Sequence, residues 1–281
     1  MDIIKIKKQF PILANNPDLT YLDNAASTQK PKKVIKGISK FYRQHNANVH
    51  RGIYDLSEKA TDEYEKARSA VAEFIGATTE EIVFTSGTTD SINLLARSLS
   101  KTPELTKHNP KILVTEIEHH ANILPWREIS EDITFARQKE DFTIDWPDGD
   151  FDIVAITHGS NVTGLMPDAK IIRKKYPNAI LILDAAQSIA HKQVDVKELD
   201  TDFLVFSGHK MYGPTGIGVL YGKKRLLEQL YPLKVGGGMI TEVTKETANW
   251  APLPERHEAG TPPIAQAVGL RHAVEFLEKI G

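Results

Sequence analysis

Six runs of aliphatic and aromatic residues recur along the chain, at Glu81–Ser86, Lys111–Glu116, Asp152–Thr157, Ile180–Asp184, Asp202–Ser207 and Gly216–Tyr221. Most are continuous rather than alternating, as strands are when both faces of a largely parallel sheet are covered. Helical patterns lie around and between them, at Pro31–Arg43, Ser57–Ile75, Thr89–Leu99, Asn122–Ile129, Asp168–Tyr176 and Lys223–Leu230. That alternation predicts an α/β fold with ligands gathered at the C-terminal ends of the strands. The final stretch, PPIAQAVGLRHAVEFLEKIG, places Ile264, Val268, Val274, Leu277 and Ile280 near one face of a helix. Either an earlier part of the fold or another polypeptide must cover that face.

Composition narrows the chemistry. The chain has 281 residues, enough for one large domain or two small ones. Thirty-five Lys and Arg stand against 37 Asp and Glu, a net charge of −2, so no basic excess draws the chain to nucleic acid or anionic lipid. Small-molecule chemistry is expected. No stretch approaches the ~18 apolar residues of a membrane helix. The N-terminus, MDIIKIKKQFPIL, alternates charges with aliphatics instead of presenting a signal-peptide core, and a cytoplasmic protein is expected. Cysteine is absent, which excludes disulfides, thiolate zinc sites and a cysteine nucleophile from these residues.

Several strand ends carry polar residues. In EIVFTSGTTDSINLLA a strand turns at Gly87 into a helix opening with Thr88 and Thr89, where free N–H groups and the helix dipole would face an anion. An ordinary capped turn has the same sequence. VTEIEHHAN ends a strand with His119 and His120; with no cysteine nearby, stacking of a flat imidazole on an aromatic ligand is a better use than metal binding. AITHGSNVTG brings His158, Ser160 and Asn161 to another strand end. Asp184 closes AILILD, where burial makes an unpaired carboxylate costly, so it either caps the next segment or meets a cation or donor.

Lys210 follows the apolar run FLVFS through Gly208 and His209. A lysine amine attacks an aldehyde only when unprotonated, and a desolvated pocket lowers its pKa enough for an imine to form. Pyridoxal phosphate needs such a lysine, a carboxylate for its ring nitrogen and a phosphate cradle. Lys210, Asp184 and the Gly-Thr-Thr turn supply all three on separate strand ends.

The chain resembles the SUF-type (group II) cysteine desulfurases and selenocysteine lyases of the class V aminotransferase family. The resemblance rests on YLDNAASTQKP, NVHRGIYDLSEKAT, FTSGTTDSINLLA, EHHANILPW, THGSNVTG, DAAQS, FSGHKMYGPTGIGVLYG, GGGMI and EAGTP, in the family's order. It implies the large domain of a fold type I pyridoxal-phosphate (PLP) transferase, a mainly parallel mixed sheet sandwiched by helices. Residues 1–20 would be an N-terminal segment and residues 21–262 the cofactor-binding large domain. Residues 263–281 would begin the helix leading to a small domain that is missing here.

The same resemblance implies that Lys210 carries the cofactor and moves the proton at the substrate Cα. Asp184 would pair with the ring nitrogen, Gln187 and Asn161 would flank the ring's phenolic oxygen, and His119 would stack on the ring. Thr88, Thr89, Ser207 and His209 would hold the phosphate, with Thr261 reaching the phosphate of a neighbouring subunit across a homodimer. His50 and Arg51 would lie near the substrate entrance, and Asn24 and Ala25 at the pocket floor.

Family members carry in their small domain a persulfide-forming cysteine and a carboxylate-gripping arginine, and the segment from 128 to 150 looks shortened. The implied activity converts L-cysteine to L-alanine and a persulfide for iron–sulfur cluster assembly. A separate small-domain polypeptide and a sulfur-acceptor protein would be partners. Alternatives are a non-catalytic dimeric scaffold, or a lyase acting on selenocysteine or by β-elimination without a protein thiol.

Overall fold

A computed structural model describes residues 2–281. Two short helices, α1 (Ile3–Lys7) and α2 (Pro11–Asn15), precede the longer α3 (Lys32–Gln44) and α4 (Asp55–Phe74). Alternating elements follow: β1 (Ile82–Thr85), α5 (Thr88–Leu99), β2 (Ile112–Thr115), α6 (Leu124–Arg127), β3 (Ile133–Gln138), β4 (Ile144–Asp145) and β5 (Ile153–Thr157). Then come α7 (Ala169–Lys175), β6 (Ile180–Asp184), α8 (Val196–Leu199), β7 (Phe203–Ser207), β8 (Gly218–Gly222) and α9 (Lys224–Gln229). A hairpin of β9 (Ile240–Val243) and β10 (Ala248–Trp250) leads to α10 (Ile264–Ile280).

Eight strands form one sheet in the order β1-β8-β7-β6-β5-β2-β3-β4. The five strands β7, β6, β5, β2 and β3 run parallel, while β8 lies antiparallel between β7 and β1. Period-2 alternation divides each strand between two cores. Leu204 and Phe206 face the layer of α4 and α10, and Phe203 and Val205 face that of α5 and α9. Each fully buried side chain of this kind contributes about 1.5–3 kcal/mol. Continuous apolar runs were therefore the right signal, because neither sheet face meets water.

The sheet's outer strands were harder to read. β3 keeps only Ala136 buried and carries Arg137 and Gln138, while the β9–β10 hairpin is exposed along nearly its whole length. With no buried stripe, the pattern was silent. The helix expected at Asn122–Ile129 is instead a 3-10 turn at His120–Asn122 followed by α6, because Pro125 cannot donate the N–H that would continue the helix. The last expected strand begins at Gly218 rather than Gly216.

Helix α10 settles what covers its apolar face. It packs on α3 and α4, with Ile264, Val268 and Val274 buried in the same core as Phe41 and Tyr64. Arg271 donates to Glu63 of α4 at 2.8 Å, and Lys33 of α3 pairs with Glu275. An earlier part of this chain supplies the cover.

Candidate active site

Parallel strands deliver their C-terminal residues to one edge of the sheet, and here those residues are polar. β1, β2, β5, β6 and β7 end in Thr85, Thr115, Thr157, Asp184 and Ser207. Above this edge opens a cavity of about 530 Å³. Of the expected site residues, Ala25, Thr88, Thr89, His119, Asn161, Asp184, Gln187, Ser207, His209 and Lys210 all line it.

Asp184 is 5% exposed, and burial pushes its carboxyl up. The Ala186 N–H, donating at 2.9 Å, and the charges of Lys210 and His119 pull it back. Lys210 responds in kind: desolvation lowers its pKa, and Asp184 opposes the drop. The amine is thus more available than an ordinary surface lysine, as a carbonyl nucleophile requires. Burial also lowers His209, with Lys210 and Lys30 adding to the effect.

The turn expected to cradle an anion is built by a close approach of backbones. Gly87 opens α5 directly over β8, where a Cβ on Gly218 would lie 2.5 Å from the Gly87 Cα. Only glycine at 218 permits that contact. Ser207 Oγ accepts from the Thr88 N–H and shares a hydrogen bond with Thr88 Oγ1, both at 2.8 Å. The first-turn N–H groups of a helix have no intrahelical acceptor, and the positive end of the α5 dipole points at the cavity.

His119 stands where β2 gives way to the 3-10 turn. Its Nδ1 accepts from the Ala121 N–H at 3.1 Å, which leaves a ring N–H at Nε2. Gln187 Nε2 donates to the Ala25 carbonyl at 2.8 Å, tying the 23–26 turn to the end of β6. His158 and Ser160 do not line the cavity; His158 Nδ1 is hydrogen-bonded to Ser188 Oγ at 2.9 Å.

The chain turns at 23–26, so Asp23, Ala25 and Ala26 face the cavity. Asn24 points instead into another cavity, with Phe10, Tyr21 and Tyr212. His50, Arg51 and Thr261 line a third, of about 470 Å³, beside Gly237, Gly238 and Glu258. These three residues come from segments flanking α4 and α10, not from the strand edge that carries Lys210. His50 adopts a left-handed backbone (φ 66°), and its ring meets Glu65 at 3.0 Å, a bond that raises its pKa.

Two buried groups escaped the sequence reading. Glu118 lies under the site, accepting from Thr115 Oγ1 at 2.6 Å, Asn122 Nδ2 at 2.7 Å and the Thr157 N–H at 2.8 Å. Burial drives its carboxyl up to about 7 against these three donors. Glu258 accepts two bonds from the fully buried Arg68 guanidinium, at 2.8 and 2.9 Å, one from Tyr64 at 2.8 Å and one from the Phe84 N–H at 2.6 Å. The available signals were a carboxylate beside the EHHAN histidines and another beside Gly260-Thr261.

Residues 20–281 match the family Aminotransferase class-V. The chain belongs to this family. It is 45% identical to a probable cysteine desulfurase of Halalkalibacterium halodurans, over all of this chain and 73% of that protein. The apo structure of cysteine desulfurase from Thermococcus onnurineus NA1 matches with a TM-score of 0.88 at 37% identity, over 99% of this chain and 71% of that one. A variant of C-DES with glycine covalently linked to its PLP cofactor matches at a TM-score of 0.79 and 25% identity, over 98% of this chain and 74% of that one.

The class-V cofactor, pyridoxal phosphate, fits the donor set of the cavity. A half-buried lysine with a lowered pKa, a buried carboxylate and a helix N-terminus beside two hydroxyls meet the needs of an aldehyde, a ring nitrogen and a phosphate. Among the described residues, no helix is long and apolar enough to cross a membrane.

Proposed function

We propose that this chain is the cofactor-binding portion of a cysteine desulfurase: L-cysteine plus a thiol gives L-alanine plus the persulfide of that thiol. The observation that carries the reading is that Lys210 and the buried Asp184 line one cavity together with Thr88, Thr89 and Ser207. Bound pyridoxal phosphate supplies an electron sink joined to the substrate's amino nitrogen, which makes the Cα proton removable and the Cβ–S bond cleavable.

The chain's own residues do the rest. Lys210 Nζ holds the cofactor and then moves the proton at the substrate Cα, a task suited to an amine whose pKa is lowered. Asp184, whose carboxyl burial raises and the Ala186 N–H, Lys210 and His119 pull back, would pair with the ring nitrogen. His119 would cover one ring face, and Asn161 and Gln187 would flank the phenolic oxygen. Thr88, Thr89, Ser207 and His209 orient the phosphate. The sulfur-accepting thiol lies outside these 281 residues, which contain no cysteine.

Thr261, His50 and Arg51, gathered in a cavity of their own, are proposed to complete the site of a second copy in a homodimer. Residues 21–262 would then form the cofactor-binding unit, in a cytoplasmic enzyme. The absence of cysteine also favours a second reading, a lyase that releases sulfur or selenium without a protein thiol.

Borohydride reduction of the PLP-loaded protein, followed by peptide mass analysis, is expected to place the label on Lys210. Labelling elsewhere, or none, overturns the assignment. With L-cysteine, alanine is expected only after a cysteine-bearing partner domain is added. Alanine or pyruvate formed by this chain alone favours the lyase.

A further inference from the structure

Lys30 is spent on an unusual pair of acceptors. Its ammonium donates to the Thr28 carbonyl at 2.6 Å and to the His209 carbonyl at 3.0 Å. Burial costs this lysine enough to lower its pKa to about 8. The His209 carbonyl already accepts from the Thr28 N–H at 3.0 Å and from Thr28 Oγ1 at 2.9 Å. A carbonyl oxygen has two lone pairs, so these neutral donors suffice to satisfy it. Ser27 Oγ also donates to this oxygen at 3.4 Å, so the added charged donor serves geometry rather than satisfaction.

The bond that follows this carbonyl is the His209–Lys210 peptide. Thr28 grips the far side of the same turn as well, since its Oγ1 accepts from the Tyr212 N–H at 2.8 Å. Tyr212 has a left-handed backbone (φ 67°), which a side chain of that size adopts only when its surroundings impose it. Gly213 closes the turn by donating to the Gly208 carbonyl at 2.9 Å. The loop 25–30 thus holds the backbone on both sides of Lys210, and the Lys30 ammonium cross-links that loop to it.

We propose that Lys30 is a positioning residue for Lys210, clamping the His209 carbonyl so that the Lys210 side chain is aimed into the cavity beside Asp184. This rests on the reading of Lys210 as the cofactor-bearing lysine. Lys30 itself does not line the cavity, so it acts through the peptide rather than on a ligand. Its charge also adds, after burial and Lys210, to the lowering of the His209 pKa.

The test compares PLP-loaded wild type with Lys30→Met and Lys30→Arg, Met removing the charge at similar length and Arg keeping donors for two carbonyls. Four readouts are taken: borohydride labelling of Lys210, the rate of cofactor release, the pH at which the visible absorbance of the bound cofactor titrates, and the thermal midpoint without cofactor. Lys30→Met is expected to release cofactor at least tenfold faster and to move the absorbance titration by more than half a pH unit. Its cofactor-free thermal midpoint should stay near that of wild type, and Lys30→Arg should restore both spectroscopic values.

A Lys30→Met protein with the wild-type titration and release rate overturns the clamp. So does one that loses thermal stability with unchanged absorbance, which would mark a purely structural lysine. If Lys30→Met fails to fold, Lys30→Gln takes its place, and an unchanged titration there overturns the proposal equally. Absence of Lys210 labelling in wild type instead strikes the functional reading beneath it; normal wild-type labelling with no effect at Lys30 strikes the clamp alone.

Discussion

Two cavities on this molecule hold residues expected to serve one reaction, and they are built differently. The Lys210 cavity is framed by strand ends of a sheet buried on both faces, so Asp184, Ser207 and Lys210 inherit the rigidity of the core. The cavity of His50, Arg51 and Thr261 is framed by glycine-containing loops and hangs on one buried ion pair, Arg68 with Glu258. The first brings together the lysine, the buried carboxylate and the α5 N-terminus. The second contains polar groups with no lysine or cradle of its own, as half of a site shared with another copy would.

The sharpest break between them is Lys210→Ala. With a cysteine-bearing partner domain added, removing the amine proposed to transfer the proton is expected to cut PLP-dependent turnover by about 10²–10⁴-fold, the usual worth of a positioned acid–base group. Borohydride labelling at position 210 should vanish, while the Thr261 cavity is untouched. Glu258→Gln attacks the other region. It leaves a buried guanidinium short of its counter-charge, and denaturant unfolding should show a loss of ~3–5 kcal/mol, with the absorbance of bound cofactor little changed. A comparable loss of absorbance would mean that the two cavities are one mechanical unit.

A smaller effect comes from Glu118 under the Lys210 cavity. Its carboxyl is raised from 4.5 to about 7, so the stability it contributes is complete below pH 4.5 and is lost as pH rises through about 7. Glu118→Gln keeps an oxygen for Thr115 and Thr157 and abolishes the titration. The variant should flatten the stability difference between pH 5 and 8 by on the order of 2–3 kcal/mol in urea titrations. An identical pH profile in both proteins removes Glu118 from the account.

The smallest expected effect is at Thr261. Thr261→Ala deletes one neutral hydrogen-bonding group, worth about 0.5–1.5 kcal/mol, or tenfold or less in cofactor affinity. The loss should appear only at protein concentrations where copies associate, as read by cofactor titration alongside sedimentation. A loss that persists in dilute monomer would assign Thr261 to its own chain's site.

Legibility follows burial. The runs FLVFS and ILILD announced β7 and β6 to within a residue, because strands covered on both sides have no polar face to dilute the pattern. The β9–β10 hairpin and β3 gave no such stripe and were missed. Within the site, residues at strand ends fell into one cavity as expected. Asn24 did not, since a single turn decides which neighbour faces inward. The Lys30–His209 contact and the Arg68–Glu258 pair span 179 and 190 residues, and Glu118, though bonded to nearby Thr115 and Asn122, shows its burial only once Thr157 of β5 closes over it.

The order of apolar runs and polar strand ends determined that this chain would build an α/β sheet with a lysine, a carboxylate and an anion cradle on one edge. That follows from local rules: strand period, sheet burial and the free N–H groups of a helix start. Tertiary structure decided the rest. It chose which side of a turn faces the cavity, set burial against donors to fix each pKa, and folded α10 back onto α3 and α4. Those outcomes depend on distances across the chain, where desolvation and hydrogen bonding act and sequence spacing carries no information.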